Sequence, residues 1–422
     1  MESDRPIAII GGGLAGLALA RGFERVGVPY RIFEATERFS EIGAGISFLP
    51  NAIHAINLID PNLFKSFESH ITYDEDPEVS QLRIRCGEKQ LGDYQFGDSI
   101  INLGKFGKDD KGRCGAHRAR VLDELVHHIP PGVARFKKQM VDIVELDGKV
   151  EVHFEDGTHE DFKAAICCDG IKSRARGIVL GEDDPAASPV YAKAYAYRAL
   201  VSRADAERII GPKLAQNGTF YVGNRRFLFH FPVEHGKLVN VIGVCVAPDS
   251  TWMARSLQEP CSKADMLRDF ADFGEPLSVL LATNENPMRW ALFELPHVRT
   301  YCKGRICVMG DAAHGMTSHQ GAGGSAAFED AYVMAELLGD EALRADLPRA
   351  FRAFDRVRCE RGNRIVSTSY EAGLIFTLQQ EGIMDDMDKF KRIMAVRFDW
   401  LWGVDLVEQV KQAKEWASEV QE

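Results

Sequence analysis

The chain of 422 residues is longer than one hydrophobic core usually covers, which points to two domains. With 45% hydrophobic and 27% charged residues it is neither disordered nor fibrous, and a net charge of -11 argues against a nucleic-acid-binding face of clustered cations. Nine cysteines, odd in number and without a Cys-x-x-Cys pair, argue against a disulfide framework or a zinc site; no metal is expected.

The opening Arg5 to Ile10 reads as a short apolar strand, followed by Gly11-Gly12-Gly13-Leu14-Ala15-Gly16, a helix through Val26 and a second strand from Tyr30 to Glu34. Residues 7–20 are apolar, but they lack the cationic lead and cleavage site of a signal peptide, and no run of about 18 apolar residues follows. A cytoplasmic protein without a membrane span is therefore expected. Asp74 to Leu103 and Tyr191 to Ala247 carry alternating segments (Gln81 to Arg85, Arg226 to Phe231, Leu238 to Val246) that predict a separate, largely antiparallel sheet. Ala116 to His128 has helix spacing. Val150 to Phe154, a turn at Gly157 and Ala164 to Cys168 read as strands returning to the first domain. Arg305 to Met309 is a further buried strand, Gly321 to Leu338 a helix closed by Gly339, and Leu347 to Ile393 more helix. The fold class expected is α/β: a Rossmann-like domain with an inserted, largely antiparallel β-sheet domain and C-terminal helices.

Gly11, Gly13 and Gly16 fit G-x-G-x-x-G between a strand and a helix, where bare backbone lets a pyrophosphate reach the positive end of the helix dipole. Glu34, 18 residues past Gly16, closes the next strand, where a carboxylate accepts the hydroxyls of an adenosine ribose and disfavours a 2′-phosphate. FAD or NAD follows. A second strand ends in Gly310-Asp311-Ala312-Ala313-His314, with Gly321-Ala322-Gly323-Gly324 opening a helix. Asp311 suits a ribityl hydroxyl, and the Gly321 to Gly324 amides suit a flavin pyrimidine ring that gains negative charge on reduction. NAD has no ribityl chain, so the pair of signatures selects FAD.

The ordered series of motifs resembles the single-component FAD-dependent aromatic hydroxylases over nearly the whole chain. It comprises the N-terminal glycines, Glu41-Ile42-Gly43-Ala44-Gly45-Ile46-Ser47, His117-Arg118-Ala119, Asp169-Gly170-Ile171-Lys172-Ser173, Ala196-Tyr197-Arg198, Phe231-Pro232-Val233, Gly310 to His314 and His319-Gln320-Gly321-Ala322-Gly323. One departure is Ser318, where the family usually has Pro before the His. The resemblance implies that Gly45 to Ser47 line the flavin, that Arg118 contacts FAD, and that Asp311 and Gly324 complete its site. It also implies that Asp169-Gly170, with Ser173 and Arg176, serves both FAD and an NADH or NADPH co-substrate that has no Rossmann unit of its own.

The chemistry implied is hydroxylation of a phenolic acid with O2 through a flavin hydroperoxide, with salicylate giving catechol and carbon dioxide. A hydroxylase of another hydroxybenzoate or of a polyketide phenol, without decarboxylation, and a flavin-dependent dehydrogenase or reductase are the alternatives. Arg198 is the expected anchor for an anionic substrate, since its planar fork suits a carboxylate or phenolate. His230 and His319 are candidate bases or donors to the phenol, Gln320 a hydrogen-bond partner of substrate or flavin or a loop brace, and Phe231 a hydrophobic wall where some fungal relatives carry Tyr. The expected division is 1–75, 105–180 and 291–370 for the FAD-binding domain, 76–104 and 181–290 for the substrate domain, and 371–422 for a C-terminal helical segment.

Overall fold

The computed structural model describes residues 5–39, 45–76, 82–104, 113–384 and 386–420; Gln81 and the Glu41 to Ala44 part of the sequence motif lie outside them. The elements that build the site are, in chain order, β1 (Ile7–Ile10), α1 (Leu14–Val26), β2 (Tyr30–Phe33), β3 (Gly45–Phe48), β4 (Ala165–Cys167), β5 (Val190–Ser202), β6 (Arg226–Val233), β7 (Leu238–Val246), β8 (Met288–Glu294), β9 (Ile306–Val308), α2 (Gly323–Gly339) and α3 (Leu347–Phe376).

β1 lies near the centre of a six-stranded sheet ordered Ala134–Arg135, β2, β1, β4, β9, Cys302–Lys303. The pairs from Ala134–Arg135 to β9 are parallel, with Ile9 opposite both Ile32 and Ile166 and Ile166 opposite Cys307; the last strand is antiparallel. β1, β4 and β9, in the middle of the sheet, are continuous buried apolar runs, as expected of parallel strands covered on both faces. On α1, Leu17, Leu19 and Phe23 are fully buried, each contributing about 1.5–3 kcal/mol by leaving water. α1 and α2 cross at close range because Gly22 carries no side chain: a Cβ there would meet the Ala335 Cβ at 2.7 Å. The chain is thus an α/β protein with a Rossmann-like opening.

The second sheet has eight strands, ordered Gln258–Pro260, β8, β5, β7, β6, Thr219–Gly223, Leu82–Cys86, Ser99–Leu103. It is antiparallel except where Thr219–Gly223 runs parallel to Leu82–Cys86. One face of β5, β6 and β7 packs on a core with Phe270, Leu277 and Leu281, while the other, with Ala196, Phe229 and Val244, joins a core with Ala326 of α2 and Phe376 of α3.

Three sequence expectations need correction. Lys149–Phe154 does not join the parallel sheet but forms a three-stranded antiparallel sheet with Met140–Leu146 and His159–Phe162; only Ala165–Cys167 returns. Its alternating burial, one face in and one out, already marks a half-exposed strand. Ala116 and His117 end a strand, and the helix begins at Arg118. The helix from Leu347 stops at Phe376, because Leu378 and Gly382 take left-handed backbone angles (φ 56° and 71°); it resumes at Met387 behind Asp386, whose side chain accepts the Lys389 N–H at 2.8 Å.

Candidate active site

At the end of β1 the backbone turns sharply at Gly11 (φ +102°), where a Cβ would meet the Cys168 carbonyl oxygen at 2.3 Å. Gly13 is the N-cap of α1 and supplies no side-chain cap; the space around it is open, so the first-turn amides of the helix are free to meet a ligand. Glu34 closes the loop: its Oε2 accepts the Gly12 N–H at 2.8 Å, and its Oε1 accepts from the Thr36 N–H at 2.8 Å and the Thr36 hydroxyl at 2.9 Å. Gly16 is a correction. It does not line the cleft; a Cβ there would meet the Gly11 carbonyl oxygen at 2.0 Å, so it serves the close packing of α1 on β1.

The second turn docks on the first. At Gly310 (φ +62°) a Cβ would meet the Ala15 Cβ at 2.7 Å, so the strand–turn after β9 lies against the start of α1. Asp311 points its exposed carboxylate into the cleft, and α2 opens on it with Gly323 and no side-chain cap at Ala322. The turn is held from behind. Gly310 donates its N–H to Asp330 at 3.0 Å, and the His314 ring lies 2.7 Å from the same carboxylate. Arg176, expected near the cofactors, is instead consumed by the backbone carbonyls of Ala186, Ala312, Ala313 and Pro296. Asp169 lines the cleft and accepts from the Ser173 hydroxyl at 2.6 Å and the Arg174 N–H at 2.9 Å; burial pushes its carboxyl up, and these bonds oppose the rise.

A single cleft of about 840 Å3 runs from the Gly11 turn past Gly45, Ser47, Arg118, Asp169, Asp311 and Gly324 into the face of the large sheet. There the strand alternation decides which side chains enter it. Ala194, Ala196 and Arg198 of β5, Phe227, Phe229 and Phe231 of β6, and Asn240, Ile242 and Val244 of β7 share one face in register, Arg198 opposite Ile242 and Phe231 opposite Asn240. The Phe220 ring stacks on Phe229 at 3.9 Å and on Phe376 at 4.8 Å, giving a dry aromatic wall. The Arg198 guanidinium lies 4.6 Å from the Trp290 ring centre at the cleft surface. Arg113 stacks 5.2 Å from both Phe229 and Phe231, with one nitrogen 2.6 Å from Asp74.

His319 is 4% exposed, lies edge-on to Phe227 at 5.7 Å and has no partner at Nδ1; burial pushes its pKa down to about 4, so the ring is neutral at pH 7. Gln320 lines the cleft, and its Nε2 donates at 3.1 Å to the Ile365 carbonyl and the Thr368 hydroxyl, bracing the loop against α3. His230 is the second correction. With Leu228 it points to the opposite face of β6, beside Tyr221, outside the cleft; burial and then the nearby Arg113, Arg83 and Arg85 push its pKa down to about 3. The period of two puts an even-numbered residue of this strand on the far side from Phe227, Phe229 and Phe231.

Arg113 and Asn240 line the cleft and were missed. Nothing local marks Arg113, which precedes the strand Cys114–His117. Asn240 had a signal: a lone amide in phase with Ile242 and Val244 on an otherwise apolar strand.

Two uncapped helix starts facing one cleft, a carboxylate at the end of β2 and a second one at the α2 turn fit the pyrophosphate, ribose and ribityl groups of FAD. Among the described residues no group of His, Cys, Asp or Glu is placed to hold a metal ion, and no helix is long and apolar enough to cross a membrane. This architecture defines a flavin-dependent oxidoreductase.

The model of the FAD binding domain family matches residues 125–367, and the chain belongs to that family, within its FAD-dependent aromatic monooxygenases. It is 34% identical over 429 residues to a salicylate hydroxylase of Pseudomonas putida, covering 98% of this chain and 96% of that one. It is 32% identical over 412 residues to a 6-methylsalicylate 1-monooxygenase of Aspergillus terreus, covering 96% and 91%. A solved salicylate hydroxylase substrate complex superposes with a TM-score of 0.86 at 30% identity, covering 98% of each chain. FAD is the cofactor, NADH or NADPH the co-substrate, and the substrates are an aromatic compound and O2.

Proposed function

We propose that the chain hydroxylates salicylate, or a closely related 2-hydroxybenzoate, at the carbon bearing the carboxylate, releasing carbon dioxide and leaving a catechol. Bound FAD, once reduced by NADH or NADPH, supplies the activated oxygen. In this reading Gly11, Gly13 and Glu34 hold the adenosine end of FAD, while Gly45, Ser47, Arg118, Asp169, Asp311 and Gly324 hold the flavin end. Arg198 binds the anionic substrate through a planar fork that matches a carboxylate. Phe227, Phe229 and Phe231 orient the ring and keep water out. His319, neutral at pH 7, can exchange a proton with the substrate hydroxyl through its free Nδ1. Gln320 keeps that loop against α3.

The observation that carries the reading is the continuity of one cleft from the Gly11 turn to an aromatic chamber with an arginine at its wall. The test is a screen of hydroxybenzoates on the purified holoenzyme, following oxygen uptake and product mass together. Equimolar catechol and carbon dioxide from salicylate support the proposal. A hydroxylated product that keeps its carboxylate excludes it in favour of another phenolic substrate, and peroxide alone indicates a reductase.

A further inference from the structure

Asn240 sits on β7 with 1% of its surface exposed, in the same face as Arg198 and directly opposite Phe231. Arg198 pairs with Ile242, two residues along β7, so the amide and the guanidinium are diagonal neighbours on the cleft wall, within reach of one small ring. The amide is clamped. Its Oδ1 accepts the Gly45 N–H at 3.0 Å, and a Cβ on Gly45 would meet the Asn240 Cγ at 2.6 Å, so only glycine at 45 leaves room for it. The clamp also fixes which way the amide faces, because a flipped group would set its NH2 against the Gly45 N–H. Nδ2 is left as a buried donor without a partner. Native proteins rarely leave such a donor empty, and because Asn240 lines the cleft, a group bound there is the partner in position to complete it.

We propose that Asn240 is the second substrate anchor, its Nδ2–H donating to the phenolic oxygen while Arg198 holds the carboxylate. This rests on the reading of the cleft as the site of a 2-hydroxybenzoate. The division of roles follows from shape: a guanidinium fork matches two carboxylate oxygens, and a single N–H matches a single oxygen. A donor at the phenolic oxygen favours its ionised form, which is the ring state that electrophilic oxygen attacks. The strand therefore selects for an oxygen ortho to the carboxylate, and an acid without it binds more weakly.

The test is titration of the oxidised holoenzyme with salicylate and with benzoate, followed by the change in flavin absorbance, in the wild-type chain, Asn240→Asp and Asn240→Leu. Asn240→Asp keeps an acceptor for the Gly45 N–H but replaces the donor; Asn240→Leu removes both. Expected is wild-type binding of salicylate about 10- to 100-fold tighter than of benzoate, a gap that closes in both variants, with FAD content unchanged in Asn240→Asp, which keeps the Gly45 contact. Equal wild-type affinities for the two acids overturn the proposal without any variant. Variants that preserve the gap also overturn it, as does loss of FAD from Asn240→Asp, which would assign Nδ2 to the flavin. If the wild-type chain binds no hydroxybenzoate at all, the reading of the cleft fails and this assignment with it; if it binds them and the variants discriminate as before, only the role of Asn240 fails.

Discussion

Asp330, in the middle of α2, accepts the backbone N–H of Gly310 at 3.0 Å, so the helix whose start faces the cofactor cleft also holds the turn that presents Asp311. The carboxylate belongs to a network in which Glu329, Asp330 and Arg358 are fully buried. Arg358 of α3 donates to Asp330 at 2.7 Å and to Glu329 at 2.8 Å, and Arg361 donates to Glu329 at 2.7 Å. Burial alone would raise both carboxyls, but the guanidinium charges, with His314 at Asp330, outweigh it and hold Glu329 down at about 2 and Asp330 lower still.

Arg358→Met removes the cation that Glu329 and Asp330 share, leaving Glu329 only Arg361, and is expected to destabilise the fold by about 3–5 kcal/mol. The sign with pH follows from the depressed carboxyls: their contribution is complete above the ordinary carboxylate range and is lost as pH falls through it towards 2. Thermal unfolding from pH 7 to pH 3 should show the wild-type chain losing stability steeply on acidification. The variant should start lower and change less, and a variant as stable as wild type at pH 7 contradicts the account of the network.

Arg198→Ala should weaken salicylate binding by about 10- to 100-fold while leaving FAD bound, as expected for loss of a charge-assisted anchor. Equilibrium titration of the yellow holoenzyme measures it, and unchanged affinity removes Arg198 from the substrate site.

Glu34→Ala and Asp311→Ala should each lower the FAD carried through purification, read from the ratio of flavin to protein absorbance. Gly16→Ala should act differently. A Cβ pressed to 2.0 Å from the Gly11 carbonyl disturbs the packing of α1 on β1, so soluble yield falls before any cofactor effect can be read. Full occupancy in both acidic-site variants refutes the map of the site.

The contrast between these glycines shows what could be read from the chain. The strand–glycine–helix opening, Glu34 and the Gly310-Asp311 turn were legible because a pyrophosphate and a ribose impose fixed spacings on backbone. That Gly310 rests on Ala15 was not, since no local pattern states which turns touch across nearly three hundred residues. Arg198 lines the cleft, whereas His230 does not: histidine chemistry alone does not carry the strand period that turns its ring away from Phe229 and Phe231. Asn240 was passed over for the opposite reason: an amide has no chemistry of its own, and only its burial and its Gly45 partner reveal it. The break after Phe376 escaped notice because Leu378, which takes the left-handed turn, is an ordinary helix former.

The two histidines separate by substitution rather than by pH. Burial pushes the His319 pKa down to about 4 and that of His230 down to about 3, so neither should produce a limb in kcat/KM between pH 5.5 and 8. His230→Phe should leave salicylate affinity and this profile unchanged, while His319→Asn should lower kcat/KM by about 100-fold or more. A limb near pH 6.5 that vanishes in His319→Asn contradicts the neutral ring described here.

The most direct test is stopped-flow reduction of the purified holoenzyme by NADH and by NADPH, with and without salicylate, followed by admission of air. Flavin reduction accelerated by salicylate, with each O2 consumed matched by one catechol, is the predicted result. A folded chain that takes up no FAD, or one whose oxygen consumption appears wholly as peroxide with salicylate untouched, contradicts it.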